Sequence, residues 1–237
     1  MATVPVKKPA RISVNDLALY MVSSDTARMG IIKRSKHPQK PPMIRYKDAR
    51  PALCAFLSDP LRSVNPLTNA ESMLQQRKVD MALSALARDD AAHSIDVLHA
   101  IQKMSNKLKS FDFQASPARQ SKLILADVEI SVYADLLVHG ATKGVEQIGA
   151  AILRMTQDDA ETEAAKAKRK EMGLYVATLA RLHVDQNITT NRLPANRLCM
   201  SIDVQHGEVF QAPDSNTLRM KNLEAACQMI RVMWDAL

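Results

Sequence analysis

The chain has 237 residues, 46% of them apolar, 24% charged and only 4% aromatic, and it carries a net charge of +7. That length can bury a full core as one domain or two, and the composition is that of an ordinary globular protein. Cys54, Cys199 and Cys227 are odd in number and far apart, which excludes a disulfide framework, and no run nears the roughly 20 apolar residues of a membrane span. The start is rich in Lys and Pro rather than apolar, so no secretory signal is read there and a cytoplasmic protein without membrane attachment is the expectation.

Residues 1–10 read as a disordered tail. Ser13 to Asp16 offers helix caps ahead of Leu17, Leu19, Tyr20 and Met21, and Asp25 starts a second helix through Met29, Ile31 and Ile32. Three prolines between His37 and Pro42 break helical structure. Residues 1–50 hold eleven Lys or Arg against three Asp, whereas the rest of the chain is close to neutral. Such an excess suits a phosphate backbone, because each neutralised phosphate releases condensed counterions. The candidate nucleic-acid contacts are Arg28, Lys33, Arg34, Lys36, Lys40 and Arg45. The competing reading is a solvated face that keeps the protein soluble, since only Tyr20 and Tyr46 could stack on bases.

Tyr46 to Leu57 reads as a helix ended by Asp59-Pro60. Thr68 with Glu71 forms a capping box for a helix through Leu74, Leu83 and Leu86, and Asp89-Asp90 opens another through Val97, Ile101, Met104 and Leu108. His93 and His99 fall on different faces of that helix, which gives no zinc spacing. Beyond residue 120 the period changes: strand-like runs cover 122–138, 146–156 and 197–212, and helical spacing covers 158–183 and 218–237. In the first run a regular strand would aim Asp127, Glu129 and Asp135 at one face, whether to bind a metal or simply to face solvent. Lys166 to Lys170 reads as an exposed helix face and His206-Gly207 as a hairpin turn. Asp203 lies among apolar strand residues and needs Arg197 or a sheet edge. The stripe Leu223, Cys227, Ile230 and Trp234 should pack on the sheet. The fold class is α+β: a basic helical region over 11–115, then a mixed sheet flanked by helices over 116–237. Neither a phosphate-binding P-loop nor a serine-hydrolase elbow is present.

From about Ala92 onward, the order of elements, Ala134-Asp135, the Gly149 strand, the long helix after it and Ser201 to Val204 resemble the restriction-endonuclease-like PD-(D/E)xK superfamily. The resemblance implies a mixed sheet between helices, with Gly149 at the turn into its second strand. It makes Asp135 the first metal-holding aspartate and lets Glu129 supply a second carboxylate, although six residues of extended strand span roughly 20 Å. It also implies Mg²⁺ or Mn²⁺ as cofactor and a nucleic-acid partner, DNA rather than RNA. Ala150 and Ile152 stand where the second acid and the lysine belong. Arg154, on the face of Ile152, or Lys166, Lys168 or Lys170 from the next helix would have to replace the lysine. The resemblance therefore leaves two outcomes, a metal-dependent nuclease or a degenerate core that still binds nucleic acid, in a setting of bacterial or phage defence, counter-defence or DNA processing. The alternative is a non-enzymatic assembly protein that oligomerises or binds a protein partner through its helical N-terminal half.

Overall fold

The structure is a computed structural model that describes residues 9–39, 43–155 and 160–237. The tail up to residue 8, Lys40 to Pro42 and the helix start expected at Asp158 lie outside the described residues. The chain folds as α+β, with a mixed sheet between helices. The elements in order are β1 (Arg11–Ser13), α1 (Val14–Met21), α2 (Asp25–Lys36), α3 (Ala49–Ser58), α4 (Asn65–Val79), α5 (Ala85–Lys103) and α6 (Ser105–Leu108). There follow β2 (Asp112–Ala115), β3 (Leu123–Leu125), β4 (Val128–Ser131), β5 (Leu136–Thr142), β6 (Val145–Arg154) and α7 (Glu163–Asn187). The chain closes with β7 (Leu193–Pro194), a 3-10 turn at Asn196–Leu198, β8 (Met200–Asp203), β9 (Glu208–Gln211) and α8 (Thr217–Ala236).

The main sheet has the order β2-β5-β6-β8-β9: β2, β5 and β6 form an antiparallel meander, α7 crosses over, and β8 returns parallel to β6 before pairing antiparallel with β9. From Ile148 to Arg154, β6 is buried without interruption, the pattern of a strand covered on both faces. Ile148, Ala150 and Ile152 face a core built with α1, α2, α7 and α8, and Ala151 and Leu153 face a second core built with α3 to α6. A small sheet, β1-β4-β3, adds Ile12, Leu123, Val128 and Ile130 to the first core. Residues on both sides of position 115 thus contribute to each core.

Local chemistry accounts for the element ends. The Ser13 Oγ accepts the Asp16 N–H at 3.1 Å, which caps α1. Ser84 caps α5 through the Ala87 N–H at 3.2 Å, so that helix starts before Asp89-Asp90 and Asp90 is buried within it. Thr68 sits inside α4 and donates to the Val64 carbonyl at 3.3 Å, so it is not a cap. Pro66 opens the helix instead, and Leu83 lies in the loop beyond its end. The run from 122 to 138 is not one strand: Ala126 (φ 46°) and Asp127 (φ 62°) form a two-residue turn between β3 and β4, and the chain bends again before β5. Asp127, Glu129 and Asp135 therefore do not share a strand face.

Gly149 is central in β6 rather than at a turn. The chain after α7 pairs with β6 as β7, makes its 3-10 turn, and resumes as β8; at the turn the Leu198 carbonyl oxygen lies 2.1 Å from where a Gly149 Cβ would stand. Only glycine permits that approach. The α8 stripe of Leu223, Cys227, Ile230 and Trp234 is buried, but against α2, α7 and β4 rather than on the main sheet.

His183 is fully buried on α7. Its Nε2 lies 3.0 Å from the Gln120 Oε1 and its Nδ1 3.1 Å from the Asn187 Nδ2, so a neutral ring protonated at Nε2 satisfies both neighbours. Gln120 in turn accepts the Ala134 N–H and donates to the Ala134 carbonyl, both at 2.9 Å, which fixes the chain on its way into β5.

Three outcomes test this packing. Burial holds the His183 pKa below the ordinary imidazole value, so the unfolded chain takes up the proton first and stability contributed here is lost as pH falls below about 6.5. His183→Gln should weaken the acid-side fall of the urea midpoint relative to wild type; an unaltered fall would place the titration elsewhere. Gly149→Ala should cost more than about 2 kcal/mol, read from chemical denaturation. Ala126→Gly, by relieving a left-handed alanine, should raise stability by about 0.5–1 kcal/mol in the same measurement.

Candidate functional site

Asp135 stands at the head of β5, the central strand of the meander. Its backbone N–H donates to the Ala151 carbonyl at 2.9 Å, and its Oδ2 accepts the Leu153 N–H at 2.7 Å. The other oxygen is taken by Arg50 of α3, whose Nη1 lies 2.5 Å from Oδ1 and whose Nη2 reaches the Leu153 carbonyl at 3.4 Å. The Asp135 side chain is 1% exposed and that of Arg50 40%. Burial outweighs the guanidinium and the two hydrogen bonds, and holds the Asp135 pKa above the ordinary carboxylate value. Beside them the half-buried Cys54 thiol is pushed up to about 12 by burial, which leaves it unreactive at neutral pH.

The other two residues of the expected catalytic set stand elsewhere. Glu129 is on β4 of the small sheet, where Lys122 holds its carboxylate. Arg154 ends β6 on the α7 side: its Nη2 donates to the Met172 Sδ at 3.4 Å and its Nη1 lies 3.8 Å from the Asp203 Oδ2. Asp203, at the end of the parallel neighbour β8, also accepts from His206, whose Nδ1 is 2.9 Å from Oδ1. The partners of this buried aspartate are thus Arg154 and His206, not Arg197, which instead reaches Thr142 and Gln147. Arg169, inside the run expected to be an exposed helix face, is buried and donates to the Ala160 carbonyl at 2.6 Å.

A divalent cation needs hard oxygens with free lone pairs. Both Asp135 oxygens already have partners, Ala150 and Ile152 are fully apolar, and among the described residues no three His, Cys, Asp or Glu side chains converge on one point. Asp135, Glu129 and Arg154 are thus not brought together as a metal-holding set.

The expected cations also divide. Arg28 is tied to Asp25 at 3.0 Å and lies over the Tyr20 ring, and Lys36 donates to the Trp234 carbonyl at 2.6 Å. Arg45 pairs with Asp89 of α5, on the opposite side of the main sheet from α2. Lys40 lies outside the described residues. What does converge is a cleft of about 340 Å³ between β1, α2 and the start of β3, lined by Arg11, Arg34 and Lys122 together with Ser13, Ser35 and Ser131. Arg34 is 62% exposed and only 3.6 Å from Asp16, a loose surface pair, and the exposed Lys33 precedes it on α2. Asp16 lines the same cleft and accepts the Ser13 hydroxyl at 2.7 Å, and Lys122 is held by Glu129, so Arg11 and the loosely paired Arg34 are the cations there that can grip phosphate oxygens.

No protein-family model matches the chain, and no curated protein matches it.

The Arg50–Asp135 pair is testable by its asymmetry. Arg50→Ala strands a buried carboxylate and should cost roughly 3 kcal/mol in urea unfolding. Asp135→Asn keeps the shape and leaves a guanidinium that water can reach, so it should cost well under half as much; equal losses would show that the pair does not work this way.

Proposed function

We propose that this protein is a nucleic-acid-binding protein built on a restriction-endonuclease-like core in which a structural ion pair has replaced the metal centre. The observation that carries the reading is Asp135 itself: it heads the central strand of an antiparallel meander that is followed by a crossover helix and a parallel strand, and Arg50 and the Leu153 amide consume its carboxylate. The order of elements supports the resemblance to the PD-(D/E)xK superfamily, and the occupied carboxylate supports a core that holds its shape without cleaving. The β1–α2 cleft supplies the binding surface, with Arg11, Lys33 and Arg34 contacting phosphates. Duplex DNA is the favoured ligand. A setting in bacterial or phage defence, counter-defence or DNA processing follows from the resemblance alone.

The experiment is a salt-dependent titration of labelled duplex DNA, with single-stranded RNA as a second arm, alongside a cleavage assay with Mg²⁺ and Mn²⁺. The triple variant Arg11→Glu, Lys33→Glu, Arg34→Glu should bind duplex DNA at least tenfold more weakly, with the salt slope reduced by roughly 0.9 per lost contact. Wild-type protein should leave both nucleic acids intact, and Asp135→Asn should bind as wild type does. An unchanged slope in the triple variant removes the cleft from the proposal; metal-dependent cleavage lost in Asp135→Asn overturns the non-catalytic core.

A further inference from the structure

A cleft of about 600 Å³ lies between the α3–α4 loop, α6 and the start of β2. That volume falls in the range that takes a small molecule. The cleft is on the other side of the main sheet from the β1–α2 cleft, since Leu57 and Phe113 belong to the core of α3 to α6, and Ile12 and Ile31 to the opposite one. Its lining is apolar at Leu57, Phe111 and Phe113, the two rings lying 5.9 Å apart, and carries hydroxyls at Ser58, Ser105 and Ser110.

Arg62, which also lines the cleft, is the residue out of pattern. Its φ of 51° is left-handed, a costly conformation for a long side chain, and such outliers gather at ligand sites. The turn that holds it there is closely made. The Asp59 carboxylate accepts the Leu61 N–H at 3.0 Å and the Ser63 N–H at 2.9 Å, and the Asp59 carbonyl accepts the Arg62 N–H at 2.9 Å. Two contacts then aim the side chain: Nη2 donates to the Phe111 carbonyl at 2.9 Å, and Cζ stands 5.2 Å from the centre of the Phe113 ring. Nη1 is buried and has no hydrogen-bond partner among the described residues. A tie between the loop and β2 is complete with Nη2 and the ring, so Nη1 is a surplus donor that calls for an acceptor. Burial pushes the Arg62 pKa down although Asp112 and Asp59 stand near it, which makes the guanidinium a desolvated cation that a bound anion relieves.

The charges around the cleft choose the anion. Arg62 and Lys109 line it together with Asp59 and Asp112, which sum to zero. The Asp59 carboxylate is taken by its two amides, and the Asp112 Oδ1 accepts from the Gln114 Nε2 at 2.6 Å. One added negative charge is matched by the guanidinium, whereas a phosphate dianion also meets two carboxylates. A bare inorganic anion leaves the aromatic lining unused. We infer that this cleft binds a small organic acid, with its carboxylate gripped by the Arg62 guanidinium and its flat apolar body lying against Leu57 and Phe111.

Titration of the full chain with naphthoate, followed by calorimetry and by amide NMR shifts, tests the inference. Naphthoate should bind with a Kd below about 1 mM and shift amides of residues 57–63 and 105–113. Naphthamide, which has the same body without the charge, and naphthyl phosphate should each bind roughly tenfold more weakly. Arg62→Lys keeps the charge but loses the planar fork, and should weaken naphthoate about tenfold. Lys109→Glu should weaken it about threefold with an unchanged melting temperature, because that side chain is exposed and the Asp59 turn is left alone. This second variant decides the matter even where Arg62→Lys loosens the loop. No measurable binding of naphthoate at about 10 mM overturns the inference, as do shifts confined to other residues or a Kd indifferent to both variants. Equal binding of naphthamide removes Arg62 from the recognition, and naphthyl phosphate bound as tightly as naphthoate overturns the choice of a carboxylate.

Discussion

From Ile148 to Arg154 strand β6 has no solvent face, and most of the architecture follows from that. A strand buried on both sides needs an apolar layer above and another below, and the chain supplies them from different segments: α3 to α6 on one side, and α1, α2, α7, α8 and the small sheet on the other. Among the described residues the main sheet lies between the two layers. Its polar fastenings are accordingly buried and specific, with Arg50 and Asp135 at one end of the β5–β6 pairing and Arg154, Asp203 and His206 at the ends of β6 and β8. Each fastening satisfies a carboxylate that the strand ends would otherwise leave stranded in a low dielectric.

Much of this was legible in the sequence because it is governed by neighbours. The Ser13 cap, the prolines after α2, the helical periods of α5 and α8, the long apolar run of β6 and the turn at His206-Gly207 are all set within a few residues, and all are found where the sequence places them. The misreadings share a cause. Ala126-Asp127 makes a left-handed turn without the glycine or asparagine that signals one, so two strands and a bend read as one strand. Thr68 and Glu71 have capping-box spacing, but Pro66 two residues earlier had already opened the helix. Gly149 looks like a turn because its true reason, the Leu198 carbonyl, comes 49 residues later.

The candidate site divides along the same line. Asp135 stood out as an acid within an apolar run, whereas Arg50, 85 residues away in sequence, had no local mark to connect the two. The basic excess of the first 50 residues was visible, but composition does not reveal that Arg28, Lys36 and Arg45 are tied to a carboxylate or a carbonyl. Nor does it reveal that Lys122, which lines the cleft with Arg11 and Arg34, is itself held by Glu129. Asp203 was correctly suspected of needing a partner, and the partner proved to be the strand neighbour that parallel pairing sets beside it, Arg154.

The pairing of β1 with β4 also orders events in time. Arg11 stands opposite Glu129, so the first strand of the chain has no partner until more than a hundred further residues have been made. Among the described residues, the core beneath α3 to α6 draws on nothing before Tyr46 or after Val209, whereas the opposite core needs both Ala10 and Trp234. On a ribosome adding roughly 5–20 residues per second, the first layer can close once β8 and β9 are made, when α7 is already available and Leu17, Ile31 and Ile32 lack only α8. During that interval the opposite core is missing Leu223, Ala226, Cys227, Ile230 and Trp234 of α8, so the apolar residues they cover stay open. Nascent chains of this protein should therefore depend on a holding chaperone late in synthesis rather than early.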